Sequence, residues 1–419
     1  MPSADVAHVW EAVPQAPADP IFQLTASFRA DSFPQKVNLG VGAYRDDNGK
    51  PWVLPSIKAA KKVLLEDESI DHEYLSITGL NDFTLSAAKL ILGKDSKAIL
   101  EGRVSSVQTI SGTGANHLGA VFLSKFYRFP AKKEIYLSNP TWANHKAIFN
   151  LAGINPTDYP YYNPQTIALD FEGFTGSLQS APNGSAFLLH ACAHNPTGVD
   201  PTKEQWSKIA DIFGQKGHFA FFDCAYQGFA SGDLDGDAWA VRHFVERRDI
   251  PVLVCQSFAK NAGLYGERIG ALHVVSPTKE QNAAVFSQLS VIQRGEISNP
   301  PAFGARLVTM LLTDERLWKQ WQEDVKTMSY RIIDMRKALY AALNDKLHTP
   351  PPKGAKDWSH ILKQIGMFTF TGLNPAQCKK MVETHHIYMT GNGRISMAGI
   401  SSKNVEYVAK SIDDVIRTL

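Results

Sequence analysis

Cysteine is scarce, at four in 419 residues, and Cys192, Cys224, Cys255 and Cys378 show no framework spacing. That excludes a small disulfide-stapled scaffold and reads as buried free thiols in a reducing compartment. Long apolar runs are absent too. Stretches such as 250–255 are far below the roughly 20 residues that span a bilayer. Neither sign of charge dominates: 43 Lys and Arg face 41 Asp and Glu, a formal +2. No basic footprint for nucleic acid or a membrane surface follows from such a balance. The opening twenty residues lack a basic segment ahead of an apolar core, and they lack the Arg- and Ser-rich amphipathy of an import peptide. Arg417-Thr418-Leu419 is a poor match to the peroxisomal tripeptide. The expectation is a cytoplasmic protein. Asn183-Gly184-Ser185 fits a glycosylation sequon but reads as a turn.

A chain this long exceeds what one hydrophobic core usually absorbs, so two domains are expected. The Pro- and Ala-rich start reads as an arm lying on another surface. From there, short apolar runs alternate with helical patterns. Residues 104–110 are strand-like and lead through Ser111-Gly112-Thr113-Gly114 into a helix patterned on Leu118, Val121 and Phe122. Further strand candidates are 134–137, 186–193, 218–222 and 252–255. A helix begun at Asp200-Pro201 puts Trp206, Ile209, Ala210 and Phe213 on one face. Strand, loop and helix repeat with little alternation inside the strands, which predicts an α/β fold with a mostly parallel sheet covered on both faces. The pattern then changes. Leu317, Trp321, Val325, Met328, Ile332, Met335 and Leu339 step by three or four along one long helix, fit to leave one domain and enter the next. Beyond the Pro-rich loop at 349–353, the rest reads as a small α+β unit ending in an amphipathic segment at 404–416.

Ligands of an open parallel sheet sit beyond the carboxyl ends of its strands. The polar residues ending the apolar runs are Ser111-Gly112-Thr113, His194-Asn195, Asp223 with Tyr226, and Ser257 with Lys260. Each has a bland reading beside a chemical one. The Gly-flanked turn opening a helix is either an ordinary strand–helix turn or a phosphate cradle. It is not a dinucleotide fingerprint, because His117 stands where the third glycine belongs. Asp223 is either a loop cap or a buried carboxylate that needs a partner. Lysines such as Lys260 are solvated by default, Arg268 fits a surface ion pair, and Tyr226 and Trp142 fit core aromatics. His190, Cys192 and His194 alternate as one strand face would, but no fourth metal ligand accompanies them, so a core strand is preferred and no metal is expected. His385-His386 reads as a surface pair.

Taken together, the segments resemble one family in order and spacing. Asn38-Leu39-Gly40-Val41-Gly42-Ala43-Tyr44-Arg45, His72-Glu73-Tyr74-Leu75, Ser111-Gly112-Thr113-Gly114-Ala115, Pro140-Thr141-Trp142, His194-Asn195-Pro196-Thr197-Gly198, Asp223-Cys224-Ala225-Tyr226, Ser257-Phe258-Ala259-Lys260-Asn261, Tyr265-Gly266-Glu267-Arg268, Ser298-Asn299-Pro300 and Gly393-Arg394-Ile395 follow one another as in the aspartate aminotransferases. These are class I pyridoxal-phosphate-dependent enzymes, and the similarity runs from about residue 20 to the end, nearest the cytosolic eukaryotic type.

The resemblance implies a fold-type-I transferase: a large domain at 55–330 with a seven-stranded sheet between helices, a smaller α+β domain from 19–54 and 331–419, and an arm at 1–18. It implies pyridoxal 5'-phosphate carried as an imine on Lys260, with Asp223 on the ring nitrogen, supported by His145 and His190. Asn195 and Tyr226 would bond the ring oxygen, Trp142 would stack on the ring, and Ser111, Gly112, Thr113, Ser257 and Arg268 would hold the phosphate. Tyr74 would reach the phosphate of the other subunit, which requires a homodimer. Freed Lys260 would carry the proton between Cα and C4′ in a ping-pong cycle. Arg394 would grip the α-carboxylate of a dicarboxylic amino or 2-oxo acid, near Gly42, Trp142 and Asn195. Arg294, from across the interface, would take the distal carboxylate. Two departures stand out: Gly295-Glu296-Ile297, where an aromatic is often found, and Ile395-Ser396 in place of Ile-Asn. Rival readings are an aromatic or kynurenine aminotransferase, a nucleotide-dependent oxidoreductase using the 111–114 turn, and a non-catalytic binding protein of the same architecture.

Overall fold

The computed structural model describes residues 10–17 and 19–419, so of the arm expected at 1–18, residues 1–9 and 18 lie outside the described residues. Residues 10–17 are exposed. Helix α1 (Pro20–Ala30) has its first turn capped by the Asp19 carboxylate accepting from the N–H groups of Ile21 and Phe22.

Seven strands make the central sheet: β1 (Val104–Ile110), β2 (Glu134–Asn139), β3 (Asn155–Pro160), β4 (Ala186–His190), β5 (Phe219–Cys224), β6 (Val252–Ser257) and β7 (Ile269–Val275). Their spatial order is β1-β7-β6-β5-β4-β2-β3. All are parallel except β7, which runs antiparallel to both its neighbours. Every residue of β4, β5 and β6 is buried. That explains why these runs show no polar alternation: helices cover both faces. Two strands escaped the reading of the sequence. β3, Asn-Pro-Thr-Asp-Tyr-Pro, is a polar edge strand whose two prolines resemble a loop. β7 returns antiparallel, which strand–helix alternation does not announce.

Helix α2 (Ser111–Phe126) follows β1 without a linker. Helix α3 (Lys203–Lys216) carries the expected face, with Trp206, Ile209, Ala210 and Phe213 buried. Its start is a correction. Asp200 does not open it; Thr202 does, through a capping box with Gln205, and Gly217 closes it in the left-handed conformation at φ 62°. Helix α4 (Lys279–Glu296) runs towards Arg294 near its end. The long helix α5 (Glu315–Tyr340) realises the step of three and four in 26 residues. Its Trp321 indole donates to the Asn261 carbonyl at 2.8 Å, tying the helix to the residue after Lys260. The C-terminal part holds two small sheets: residues 37–38 pair with 387–388, and 368–370 pair with 394–396. Against them packs α6 (Val405–Thr418), with Val405, Val408, Ala409, Ile412 and Val415 inward.

Two further readings are corrected. β4 ends at His190, and Ala193 is left-handed at φ 48°, so His190, Cys192 and His194 do not alternate along one strand. His385 and His386 are half-buried and paired, with Asp414 at 2.9 Å and Asp31 at 2.7 Å. Asn183-Gly184-Ser185 does form a turn, and all four cysteines are buried and free.

Burial of histidines sets an acid limit on stability. Desolvation pushes His190 and His273 down to about 3 and His360 down to about 4, and holds His194 well below its ordinary value of 6.5. These four stay neutral in the fold but take up protons when unfolded. Their stabilisation is fully present above pH 6.5 and is lost as pH falls towards the folded values, at about 1.4 kcal/mol per pH unit for each proton. Asp200 and Asp237, raised by burial to about 6, act in the opposite sense, losing stabilisation as pH climbs from 3.8 through 6. The histidines outnumber them. Thermal unfolding is therefore expected at progressively lower temperature from pH 6.5 down to 4.5, with a shallower decline in His273→Gln. An unchanged slope in that variant would show that buried histidine is not the cause.

Candidate active site

The carboxyl ends of β1, β2, β4, β5 and β6 face the same way, and β7, because it is antiparallel, brings its first residue to that same edge. One cavity opens there. It is lined by Ser111, Gly112, Thr113, Trp142, His190, Cys192, Asn195, Asp223, Ala225, Tyr226, Ser257, Lys260 and Arg268. Ten of the expected site residues thus meet in one place.

At one end lies an anion cradle. No side chain caps the start of α2; the Ser111 N–H donates to the Arg268 carbonyl at 3.0 Å, and the N–H groups that follow it in the first turn have no side-chain acceptor, which suits an anion. The Ser111 and Ser257 hydroxyls lie 3.3 Å apart beside it. A Cβ on Gly112 would stand 3.1 Å from that of Ser257, tighter than side chains ordinarily pack, so glycine eases the close approach of the turn. Arg268, the residue before β7, is held at φ 52° and donates to the Tyr265 carbonyl at 3.0 Å. It lines the same cavity and forms no ion pair among the described residues.

At the other end, Asp223 sits near the tip of β5. Burial alone would raise its pKa, but the His145 hydrogen bond, the neighbouring histidines and the Asn116 amide outweigh burial and hold the carboxyl below its usual range. The hydrogen bonds form a directed chain. The Asn195 N–H donates to His190 Nδ1 at 3.4 Å, and His190 Nε2 faces Thr141 Oγ1 at 3.0 Å. Thr141 Oγ1 is 2.8 Å from His145 Nδ1, and His145 Nε2 is 3.1 Å from Asp223 Oδ2. His190 is neutral, so its one proton is on Nε2 and points at the Thr141 hydroxyl; the ionised Asp223 can only accept, so the His145 Nε2–H serves it. A backbone amide thereby fixes the tautomer of His190. Sequence reasoning singled out both histidines but missed Thr141 and Asn116. Asn116 is fully buried one helical turn after Gly112, whose carbonyl its Nδ2 reaches at 2.9 Å.

Between the two ends stands Lys260. Desolvation lowers its pKa; Asp223 opposes that shift and Arg268 adds to it. Its Nζ is 5.7 Å from the Tyr226 ring. Tyr226 is buried, which raises its own pKa.

Arg394 and Gly42 are not among the residues lining this cavity, although Arg394 lies close enough to Tyr226 for each to influence the other's charge. Arg394 donates to the Gly40 carbonyl at 2.9 Å, and its guanidinium lies 4.4 Å over the Phe368 ring, which also approaches a would-be Cβ of Gly42 at 3.2 Å. Phe368 is fixed in turn by Arg336, whose Nη2 donates to the Phe368 and Gly366 carbonyls at 2.6 and 2.8 Å. The Arg394 Nε is buried without a partner. It is a donor awaiting an acceptor.

Tyr74 and Arg294 do not join this cavity. Tyr74 is 86% exposed, and exposed Arg294 donates to the Ser298 hydroxyl at 2.5 Å. No group of three or more His, Cys, Asp or Glu side chains among the described residues is arranged to hold a metal ion, and no helix among them is long and apolar enough to cross a membrane.

The donor set fits pyridoxal phosphate: an anion cradle at one end, an ionised carboxylate for the ring nitrogen at the other, a buried amine between them, and Trp142 as a flat wall. Comparison with known proteins agrees. The family model for aminotransferase class I and II matches residues 34–412. The cytoplasmic aspartate aminotransferase of Saccharomyces cerevisiae is 54% identical over 407 residues, covering 96% of this chain and 95% of that protein. The solved structure of aspartate aminotransferase from Saccharomyces cerevisiae cytoplasm aligns with TM-score 0.93 and 52% identity, covering 98% of this chain and 99% of that one. An aromatic-amino-acid aminotransferase from Burkholderia pseudomallei, covalently bound to pyridoxal phosphate, aligns with TM-score 0.93 at 38% identity over 97% and 99% of the two chains. The chain belongs to the class I and II aminotransferases.

Proposed function

We propose that this chain is a pyridoxal-phosphate-dependent aspartate aminotransferase. It moves the amino group reversibly between L-aspartate and 2-oxoglutarate, giving oxaloacetate and L-glutamate in a ping-pong cycle, with the cofactor carried on Lys260. The observation that carries the reading is the meeting of Lys260, Asp223 and the open end of α2 in one cavity. When bound, pyridoxal phosphate supplies the electron sink for the pair left behind as the α-proton departs.

Each side chain then has a task. Ser111, Gly112, Thr113, Ser257 and Arg268 hold the phosphate. Asp223 keeps the ring nitrogen protonated, because a carboxylate held ionised by its hydrogen bonds is ready for a cationic partner. Trp142 packs on the ring, and Asn195 and Tyr226 hydrogen-bond the ring oxygen. Lys260, whose burial favours the neutral amine, takes the proton from Cα and delivers it to C4′. Arg394 binds the α-carboxylate through its free edge, with Gly42, Trp142 and Asn195 beside it.

The remaining pieces come from a second copy. Exposed Tyr74 and Arg294 would complete the partner's site in a homodimer, Tyr74 on its phosphate and Arg294 on the distal carboxylate. We assign residues 55–330 to a large cofactor-binding domain, 19–54 with 331–419 to a small one, and 1–18 to an arm. Gly42 and Arg394 belong to the small unit and the cofactor set to the large one. The cytoplasm is the proposed compartment, supported by the name of the yeast relative.

Wild-type protein is expected to be yellow, with borohydride fixing the cofactor to Lys260 as a single modified peptide. Lys260→Ala should still bind the cofactor while turnover falls by about 10⁴-fold. Protein that stays colourless with added pyridoxal phosphate would sink the assignment. For substrate choice, Arg294→Ala should lower kcat/KM for aspartate by about 10²-fold or more and for phenylalanine by much less, since only the former leaves a carboxylate unpaired. Preference for phenylalanine in the wild type would favour the aromatic reading, which the Burkholderia relative keeps in view.

A further inference from the structure

We propose that Asp200 is a positioning residue for Asn195, holding the backbone of the 193–195 turn so that the Asn195 side chain meets the cofactor's ring oxygen. The proposal rests on the function argued above and adds to it a residue outside the cavity.

Asp200 lies beyond the cis Asn195-Pro196 bond and was read from the sequence as a helix start. Its actual work is different. Oδ2 accepts from the Ala193 N–H at 2.6 Å and Oδ1 from the His194 N–H at 2.8 Å, so both carboxylate oxygens are spent on two successive peptide groups. Asp200 has no ion-pair partner among the described residues. A carboxylate used this way is worth its desolvation only if the two amides it orders matter.

They order what comes next. Ala193 is held in the left-handed region, where an alanine does not stay by preference. The rest of the turn is locked from other sides. His194 is clamped between Ser138 and Thr197, each at 2.8 Å, and stacks on Tyr161 at 4.0 Å. With 193 and 194 fixed, the Asn195 N–H meets His190 Nδ1 at 3.4 Å and Asn195 lines the cavity. Without Asp200, two buried N–H groups lose their acceptor, Ala193 is free to leave φ 48°, and Asn195 loses its aim. Replacement by asparagine turns an acceptor into an amide that faces an N–H, with almost no change in volume.

The holoenzyme's visible band reports on this directly. A hydrogen bond to the ring oxygen stabilises the deprotonated chromophore, so its loss moves the midpoint of the pH-dependent colour change upward. Asn195→Ala is expected to raise that midpoint by about one pH unit. Asp200→Asn should raise it by at least half as much, and the double variant should go no further than Asn195→Ala alone. Tyr226→Phe, acting on the same oxygen from another element, should add to Asp200→Asn. Asp200→Ser, which keeps one short acceptor, serves if the asparagine variant does not fold and should shift the midpoint in the same direction. Loss of thermal stability with an unmoved midpoint, or full additivity of Asp200→Asn with Asn195→Ala, would overturn the positioning role. If Asn195→Ala itself leaves the midpoint in place, the assignment of Asn195 fails, and the proposal with it; a wild type with no such band would contradict the function instead.

Discussion

A carboxylate kept charged inside the protein is the constraint on which the site depends. Burial opposes ionisation of Asp223, and no lysine or arginine among the described residues is paired with it. Hydrogen bonds and the neighbouring histidines do the work: the His145 Nε2–H, with Thr141, His190 and the Asn195 amide behind it, and Asn116 one turn into α2. An ion pair with arginine would have satisfied the charge and left nothing for a ligand. Hydrogen bonds lower the cost of the charge and leave it open to a protonated ring nitrogen.

The fold brings that charge, the Lys260 amine and the open end of α2 into one cavity. Parallel strands put their carboxyl ends on one edge, and the single antiparallel strand delivers Arg268 to the same place. Chain segments from residue 111 to 268 meet there without any long loop. The arginine proposed for the substrate comes from elsewhere. Arg394 lies over Phe368, Phe368 is tied down by fully buried Arg336, and Arg336 belongs to the long helix α5. Since Trp321 on that same helix bonds the carbonyl next to Lys260, one rigid element touches both halves of the site.

Much of this was legible in the sequence, for physical reasons. Buried parallel strands lack polar alternation, so β4, β5 and β6 stood out as apolar runs, and polar residues at their ends marked the cavity. Helix faces such as Trp206 to Phe213 followed from their period. What stayed hidden depends on distance along the chain. Nothing local says that Asp200 reaches back to two amides instead of starting a helix, or that His190 and His194 leave one strand at a left-handed alanine. A polar edge strand with two prolines looks like a loop, and Thr141 looks like any residue after a proline. Individually, Lys260 and Asp223 had bland readings; their pairing came from resemblance across the whole chain and then from geometry.

The charge on Asp223 can be measured where it acts. With the holoenzyme reconstituted from pyridoxal phosphate labelled with ¹⁵N in the ring, the nitrogen chemical shift reports whether that atom carries a proton. In the wild type at pH 7.5 the shift should be that of a protonated pyridine, and in Asp223→Ala that of a neutral one. A neutral ring nitrogen in the wild type would contradict the role given to Asp223 and the electron sink that depends on it.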